Sequence, residues 1–369
     1  MKFTVQKEYF LNAVNNAIRA TANRQVQPIL SNLLIESKDD DTIKITATDL
    51  DFWMILDVEA QVHTPGKLTV NARKLSEVVS KLNAMAAVDF EMNENILKLK
   101  SGKSKFELNT ISADEFPTVP FIEGVKPIEL NGNGLAELVG KVSYATDPKN
   151  GVLAGVNFNF DSNGIKLAAT DGSRLSEVSS DLGVTNESLN VVVPTKALGE
   201  FSKLFNTVGD KSNPVYMTVN EYQIGFVLDN GILLARLLEG KYPTYQGIIP
   251  TESKHVIFAD RREMVNSLDR VGTMASDRTN IAEMEISKGN ICFKAKTQET
   301  GNSEDVIDAQ YDGDNLSVAF NYRLMLDALK SISGDKVYIG LNTAMAPIVL
   351  KPVDADNHIN LVMPVQMKS

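Results

Sequence analysis

The residues that come nearest to a nucleotide site are Gly102-Lys103-Ser104, which reproduce the end of the P-loop pattern. In that pattern, backbone amides and a lysine hold the phosphates of a nucleotide. The pattern also requires a glycine at the position of Leu97 and a helix directly after the loop. Because the stretch joins two segments of alternating hydrophobicity, we interpret it as a hairpin turn and expect no nucleotide site.

The sequence also contains no recognisable motif for nucleophilic or acid–base catalysis. The histidines His63, His255 and His358 stand beside segment boundaries or strands, and none has Ser or Cys companions in a nucleophile motif. The single cysteine, Cys292, lies in the apolar run NICFKAK and is expected to be a small buried hydrophobe on a strand. We therefore predict no catalytic residues and no enzyme.

Two acidic clusters, Asp39–Asp41 and Asp312–Asn315, have the carboxylates that a hard cation prefers. Neither follows the spacing of an EF-hand loop. Acidic hairpin turns account for both clusters, so we expect no bound metal and no cofactor.

One stretch remains, ATDGSRL at residues 169–175, and its Ala-Thr-Asp also occurs at residues 47–49, 122 residues earlier. Gly172 can take a backbone φ that Leu50 in the first copy should resist, so we expect a tight turn in the second copy only. Arg174 and Leu175 would then stand at the rim of the second copy. This extra cluster suggests a binding feature that was added to one copy of a shared scaffold.

A longer segment also recurs with nearly the same period, at residues 66–82, 189–205 and 316–332. Lys74 and Lys196 in its first two copies are again 122 residues apart. We predict three repeats, with boundaries at stretches that contain Pro or Gly. The predicted domains are residues 1–122, 123–250 and 251–369.

Each repeat is predicted to contain two amphipathic helices. Leu75, Val78, Val79 and Leu82 have the i, i+3, i+4, i+7 spacing of a helical stripe. The same or a looser spacing occurs at residues 10–18, 135–142, 198–205, 264–271 and 324–332. The remaining segments alternate with period two between turn-rich breaks, which indicates short strands with one covered face. The predicted fold class is α+β, with three repeated β-rich units of two helices each.

The composition of the 369-residue chain is that of a globular protein, with 43% hydrophobic and 23% charged residues. One cysteine excludes an intramolecular disulfide framework and fits a reducing compartment. No signal sequence and no run of about 18 apolar residues is found, so we expect a soluble, cytoplasmic protein without a membrane segment.

The net charge of −10 argues against nucleic acid as a partner. However, six helical windows together carry +6, which leaves −16 for the rest of the chain; the windows are residues 7–24, 72–83, 134–149, 195–206, 260–271 and 322–333. If the polar sides of all six helices face one way, an acidic protein would present one basic surface to a phosphate backbone. Ordinary solvated helix faces remain the simpler alternative.

Taken together, several motifs resemble the bacterial replicative sliding clamps, the beta subunits of replicative DNA polymerases. They are the Met-Lys-Phe start, QPILSNLLI at residues 27–35, ATDGSRL, the threefold repeat and VMP near the C-terminus. The resemblance covers the whole chain and implies the DNA clamp fold, a ring-shaped head-to-tail homodimer with helices inside and sheets outside. It implies a non-catalytic processivity factor that encircles double-stranded DNA independently of sequence and tethers the polymerase.

The resemblance also implies three sets of site residues. A partner-peptide pocket would receive a short motif from the replicative polymerase catalytic subunit, the clamp loader and other clamp-binding proteins; the matching positions are Leu153, Thr170, Gly172, Arg174, Leu175, Pro243, Ile248, Val362, Met363 and Pro364. The matching DNA-contacting positions are Arg24, Arg73, Lys74, Lys149 and Lys196. The matching ring-closing positions are Lys74, Leu108, Thr273 and Met274.

Two other classes of function stay open on the sequence alone. A β-rich repeat protein could use the Gly172–Leu175 cluster to bind only protein partners, without DNA. An enzyme with an unrecognised site would need a pocket of titratable residues with shifted pKa values. Basic side chains confined to the polar faces of the helices would favour the ring.

Overall fold

The structure, a computed structural model, describes residues 1–22, 27–83, 85–185, 188–208, 211–276, 278–297 and 301–366. The first repeat contains β1 (Lys2–Gln6), α1 (Lys7–Ala17), β2 (Asn32–Ser37), β3 (Thr42–Thr48), β4 (Phe52–Glu59), β5 (Gln61–Thr64), β6 (Lys67–Asn71), α2 (Ala72–Ser80), β7 (Ala87–Asn93), β8 (Ile96–Ser101) and β9 (Ser104–Asn109). The second contains β10 (Ile128–Asn131), α3 (Gly132–Val142), β11 (Gly155–Asp161), β12 (Gly164–Thr170), β13 (Arg174–Ser180), β14 (Leu189–Pro194), α4 (Thr195–Thr207), β15 (Pro214–Val219), β16 (Gln223–Leu228) and β17 (Gly231–Arg236). The third contains β18 (His255–Asp260), α5 (Arg261–Gly272), β19 (Ile281–Ser287), β20 (Asn290–Thr297), β21 (Gly301–Gln310), β22 (Leu316–Asn321), α6 (Tyr322–Ser331), β23 (Lys336–Leu341), β24 (Ile348–Pro352) and β25 (His358–Val362).

The order of these elements is one pattern used six times: a strand, a helix and three further strands. The short strand β5 is an addition after β4 and pairs with β1 in another sheet. Each of the six α-helices in the described ranges overlaps a segment that the hydrophobic spacing predicts to be helical. In α2, Leu75 and Val79 of the predicted stripe are fully buried. The Asn71 side chain accepts a hydrogen bond from the Lys74 amide, so the helix begins at an N-cap. The mixed α and β composition is therefore confirmed.

The strands form antiparallel sheets in which strands from different repeats are neighbours. The strand orders are β5-β1-β7-β8-β9, β10-β15-β16-β17-β4-β3-β2-β6, and β14-β11-β12-β13-β25-β24-β23-β18-β21-β20-β19-β22. The strand pair β17–β4 joins the sheets of the first two repeats, and the strand pair β13–β25 joins those of the last two.

By compactness the chain divides into two units. The first comprises Met1–Asn133 and Lys196–Leu237, and the second comprises Gly134–Thr195 and Leu238–Ser369. The sequence of the second repeat is shared between the units, because its sheets continue into those of its neighbours. The boundaries of the three predicted domains stay a prediction.

Aromatic side chains occupy much of the interior of the first unit. The Phe3 and Phe90 rings stack with their centroids 4.7 Å apart, and Phe201 and Phe226 are separated by the same 4.7 Å. In the second unit, aliphatic, Met and Phe side chains from α5, α6 and the strands around them form one buried cluster. Both interiors bury the apolar stripes of their helices, which fixes the outward direction of the polar faces.

The glycine and the cysteine that were first considered for chemistry lie in an ordinary turn and an ordinary strand. Gly102, with a φ of 56°, lies in the turn between β8 and β9, as expected. Cys292 is buried on β20, and burial raises the pKa of its thiol to about 11. Across the described ranges, no group of three or more His, Cys, Asp or Glu side chains is arranged to hold a metal ion. None of the helices in those ranges is long and apolar enough to cross a membrane.

Candidate partner-peptide site and basic helix ends

The ATDGSRL stretch forms a turn that is held by its own side chains. The Thr170 hydroxyl donates to the Arg174 carbonyl at 2.6 Å and accepts from the Gly172 amide at 3.1 Å. The Asp171 carboxylate accepts from the amides of Ser173 and Arg174, at 2.8 and 3.0 Å. Gly172 has a φ of 87°, so the predicted tight turn is present.

The first copy makes the same turn, and the expectation that Leu50 would resist it is wrong. Leu50 has a φ of 80°, and the Thr48 hydroxyl accepts its amide proton at 2.9 Å while donating to the Phe52 carbonyl at 2.9 Å. The Asp49 carboxylate accepts the Phe52 amide at 3.0 Å. A left-handed leucine costs of the order of 1–2 kcal/mol, and these local hydrogen bonds hold it there. The turn therefore does not distinguish the two copies.

Arg174 is fixed by three groups. Its Nε donates to Asp171 at 2.9 Å, its Nη1 donates to Asp327 on α6 at 2.6 Å, and its guanidinium lies 5.0 Å from the Tyr144 ring centre. The Tyr144 hydroxyl donates to the Asn360 side chain at 2.7 Å, and burial raises the pKa of Tyr144 to about 12. With two carboxylates and a ring already in contact, Arg174 acts as a rigid connection between β13 and α6.

An apolar cluster lies beside this turn. The Tyr242 hydroxyl accepts the Thr170 amide proton at 3.0 Å, and the Tyr242 and Tyr245 rings meet edge to face at 6.5 Å. Leu153 packs on the same cluster from a short 3-10 segment. The buried members of the cluster are Ala168, Leu175, Val192, Tyr242, Tyr245, Val349 and Leu361.

Most of the predicted pocket positions lie at the ATDGSRL turn or at the apolar cluster beside it in the second unit. Val362 is directly opposite Arg174 across the β13–β25 pair, and the Met363 amide donates to the Ser173 carbonyl at 2.9 Å. Pro364 forms an isolated bridge with Phe320. The remaining two positions are exposed: Pro243, which follows Tyr242, and Ile248, which is 46% exposed. The role of all ten positions in binding stays a prediction.

Four residues of the candidate partner-peptide site were not predicted from the sequence. Tyr242 and Tyr245 stand in GKYPTY, the counterpart of DEFPTV in the first repeat, and that repeat was a usable signal. Tyr144 and Asp327 gave none, because Asp327 is 153 residues from Arg174 and only the fold brings them together.

Basic residues are found in the first turn of several helices. Arg73, Lys196 and Arg323 are each the second residue of their helix, in α2, α4 and α6. The structural equivalent of Lys196 is therefore Arg73. The 122-residue spacing instead matches Lys196 to Lys74, the next residue along the chain. None of these three helices has an acidic residue in its first turn. Positive side chains thus add to the positive end of the helix dipole, which makes each helix start attractive to phosphate.

The other predicted DNA-contacting residues have varied surroundings. Lys74 pairs with Glu77 at 2.6 Å, and the Lys196 ammonium pairs with Asp49. Lys149 is exposed after Asp147, whose side chain accepts its amide proton at 3.1 Å. Arg24 lies outside the described residues.

The predicted ring-closing residues lie on β9, directly after α5 and on α2. Leu108 is on β9, the last strand of its sheet, opposite Leu97 of β8. Thr273 and Met274 follow α5, and the Met274 methyl carbon is 3.5 Å from the position that a Cβ on Gly301 of β21 would take. Lys74 is exposed on α2.

Comparison with known proteins identifies the family and the fold of the chain. Family models of the DNA polymerase III beta subunit match residues 1–120 as the N-terminal domain, 129–244 as the central domain and 246–366 as the C-terminal domain. The beta sliding clamp of Bacillus subtilis is 30% identical over 381 residues, covering 99% of this chain and 100% of the relative. That of Synechococcus elongatus is 28% identical, with 100% of both chains covered.

Solved structures of sliding clamps have the same fold. The Bacillus subtilis clamp matches with a TM-score of 0.94 at 29% identity, and both chains are covered completely. A Pseudomonas aeruginosa clamp bound to griselimycin matches with a TM-score of 0.95 at 26% identity, again over both complete chains. With this coverage, the chain belongs to the family of bacterial beta sliding clamps, the beta subunits of DNA polymerase III, and has their three-domain fold of mixed helices and sheets.

Proposed function

We propose that two copies of this chain join head to tail in a closed ring around double-stranded DNA. The ring slides without reading sequence and tethers the replicative polymerase and other partners, and the chain performs no chemistry and uses no cofactor. We place this activity in the cytoplasm, where bacterial DNA is replicated.

The observation that supports the ring most directly is the pairing of the last strands of the repeated pattern. The third strand after α4, β17, pairs with the third strand after α1, β4. The third strand after α6, β25, pairs with the third strand after α3, β13. The same rule pairs β9, after α2, with β21, after α5. In the described chain β9 has a neighbour only on the side of β8, and β21 pairs with β18 only at Ala309 and Gln310. A second copy would therefore supply the preceding part of β21 to β9.

The charges on these two edges support the same pairing. Lys103 and Lys105 are exposed at β9 and its turn, and Lys105 stands directly opposite Lys100 on β8. Like charges in that position are unfavourable within one chain. The exposed face of β21 carries Glu304 and Asp308, which are complementary to them.

The basic first turns of α2, α4 and α6 support the contact with DNA. Phosphate contacts from Arg73, Lys74, Lys149, Lys196 and Arg24 would be independent of sequence, as sliding requires. An acidic remainder of the chain would keep other nucleic acid away from the outside of the ring.

The apolar cluster beside Gly172 supports a docking site for partner peptides. An apolar floor with a few fixed polar groups suits an aliphatic or aromatic anchor, and Met363 is flexible enough to adapt to different partners. We propose that the polymerase catalytic subunit and the clamp loader bind there, and that griselimycin, which binds the relative, occupies the same site in this chain.

A covalently closed ring on circular DNA tests this function. Leu108→Cys and Thr273→Cys would be combined with Cys292→Ser, incubated with nicked circular plasmid, and crosslinked with a bismaleimide. We expect a dimer of twice 40.4 kDa that stays with circular DNA in denaturing detergent and is released when the plasmid is linearised.

The chain with Cys292→Ser and only Leu108→Cys is the matched control, because neither joint then has a cysteine on both sides. Crosslinked dimers that leave circular and linear DNA equally would contradict the encircling of DNA. A monomer that still binds griselimycin would favour a repeat protein that binds only protein partners.

A further inference from the structure

The frame of the partner-peptide site occurs a second time, in the first compact unit. Leu30 lies in a 3-10 segment that corresponds to the segment of Leu153. Phe116, before a proline, corresponds to Tyr242 in the repeated aromatic-Pro pair. Leu30 and Phe116 are buried in one small cluster, as Leu153 and Tyr242 contact one cluster in the second unit.

The two copies differ at the residue in the middle of the shared turn. Leu50 packs against the cluster of Ile29, Leu30 and Phe116. A Cβ placed on Gly172, at the equivalent position, would meet no atom within 4 Å. The first copy is therefore filled by a side chain of its own, and the second is open.

The backbone conformation indicates that the turn itself does not require a leucine at position 50. Gly172 makes the turn with a φ of 87°, which glycine adopts at no steric cost, whereas Leu50 adopts a φ of 80° against its preference. Leucine at this position needs a compensating contact, and its packing on Leu30 and Phe116 provides one.

We propose that Leu50 closes a second partner-peptide groove from within, so that a chain with two such frames has one docking site. The ligand that Leu50 excludes has the chemistry of the partners at Gly172, an extended segment with an aliphatic or aromatic anchor. This inference rests on the proposed peptide-binding function of the Gly172 copy.

The turn of the closed copy also carries a charged pair. Asp49 holds the ammonium of Lys196, which lies 5.9 Å from the Phe52 ring centre. In the open copy, Asp171 holds Arg174 in a similar way. Removal of the Leu50 side chain thus exposes the apolar cluster of Ile29, Leu30 and Phe116 beside this charged pair.

Calorimetric titration with griselimycin tests the inference on four full-length chains. The unchanged chain should bind one molecule, Gly172→Leu should weaken binding at that site by at least about 30-fold in affinity, and Leu50→Gly should bind two molecules. The combined variant should bind one molecule, now in the first unit. Leu50→Ala, which keeps a Cβ, serves if Leu50→Gly does not fold, as judged by Trp53 fluorescence and circular dichroism.

Two failures are distinguishable. If the unchanged chain does not bind griselimycin, or if Gly172→Leu binds it normally, the proposed site at Gly172 is wrong. If Gly172→Leu abolishes binding at that site while folded Leu50→Gly or Leu50→Ala still binds one molecule at saturating ligand, the inference about Leu50 is overturned.

Discussion

The pH dependence of the second compact unit should depend on one buried histidine. His358 is 1% exposed on β25, and its Nε2 lies 3.3 Å from the Ser176 hydroxyl. Burial, together with the charge of Lys141, lowers the pKa of His358 from 6.5 to about 4. The imidazole is therefore neutral in the folded protein at any pH near neutrality.

The sign of the effect follows from where the proton binds first. Because the folded pKa is below the unfolded value, the unfolded chain takes up the proton first as the pH falls. The stability of this unit is thus unaffected by His358 above about pH 6.5 and decreases toward pH 4. For a pKa of about 4, the loss between about pH 7.5 and pH 5 is about 2 kcal/mol.

The assay is hydrogen exchange of the β13 and β25 amides, corrected for the intrinsic exchange rate at each pH. His358→Gln removes the titrating group and should remove about 2 kcal/mol of the pH-dependent loss in opening free energy. His63→Gln, in the first unit, is the matched control and should leave the β25 amides unchanged. An unaltered pH slope in His358→Gln would refute the reasoning.

Two further expectations concern charge and reactivity. Arg73→Gln and Lys196→Gln should each reduce the slope of log affinity for a DNA duplex against log salt by about 0.9 for every phosphate that the side chain had neutralised. The control Lys288→Gln, which removes a lysine from an exposed pair with Asp312, should not change this slope. An equal change of slope in all three variants would contradict the assignment. Cys292, with a pKa raised from 9.0 to about 11, should react with iodoacetamide about 100-fold more slowly near neutral pH than an ordinary thiol, and labelling of the native protein at the rate of a free cysteine would contradict its burial.

Local patterns in the sequence were enough for the helices and for the turn. The Leu75 stripe predicts α2 because side chains at 3.6-residue spacing must share one face, whatever lies opposite. Thr170 and Asp171 specify their turn because their hydrogen bonds reach only a few residues along the chain. The error at Leu50 arose because packing on Leu30 and Phe116 compensates for a backbone conformation that leucine avoids.

What the sequence by itself determined was the threefold repeat, the types of its elements and their order, since all of these depend on periodicity within short windows. Only the tertiary structure decided which strands meet across repeats, such as β13 with β25, and which groups fix Arg174. It also decided which copy of the peptide-site frame is open. The β13–β25 pair and the Arg174–Asp327 ion pair join residues more than 100 positions apart, and their energies depend on burial and geometry that no local pattern contains.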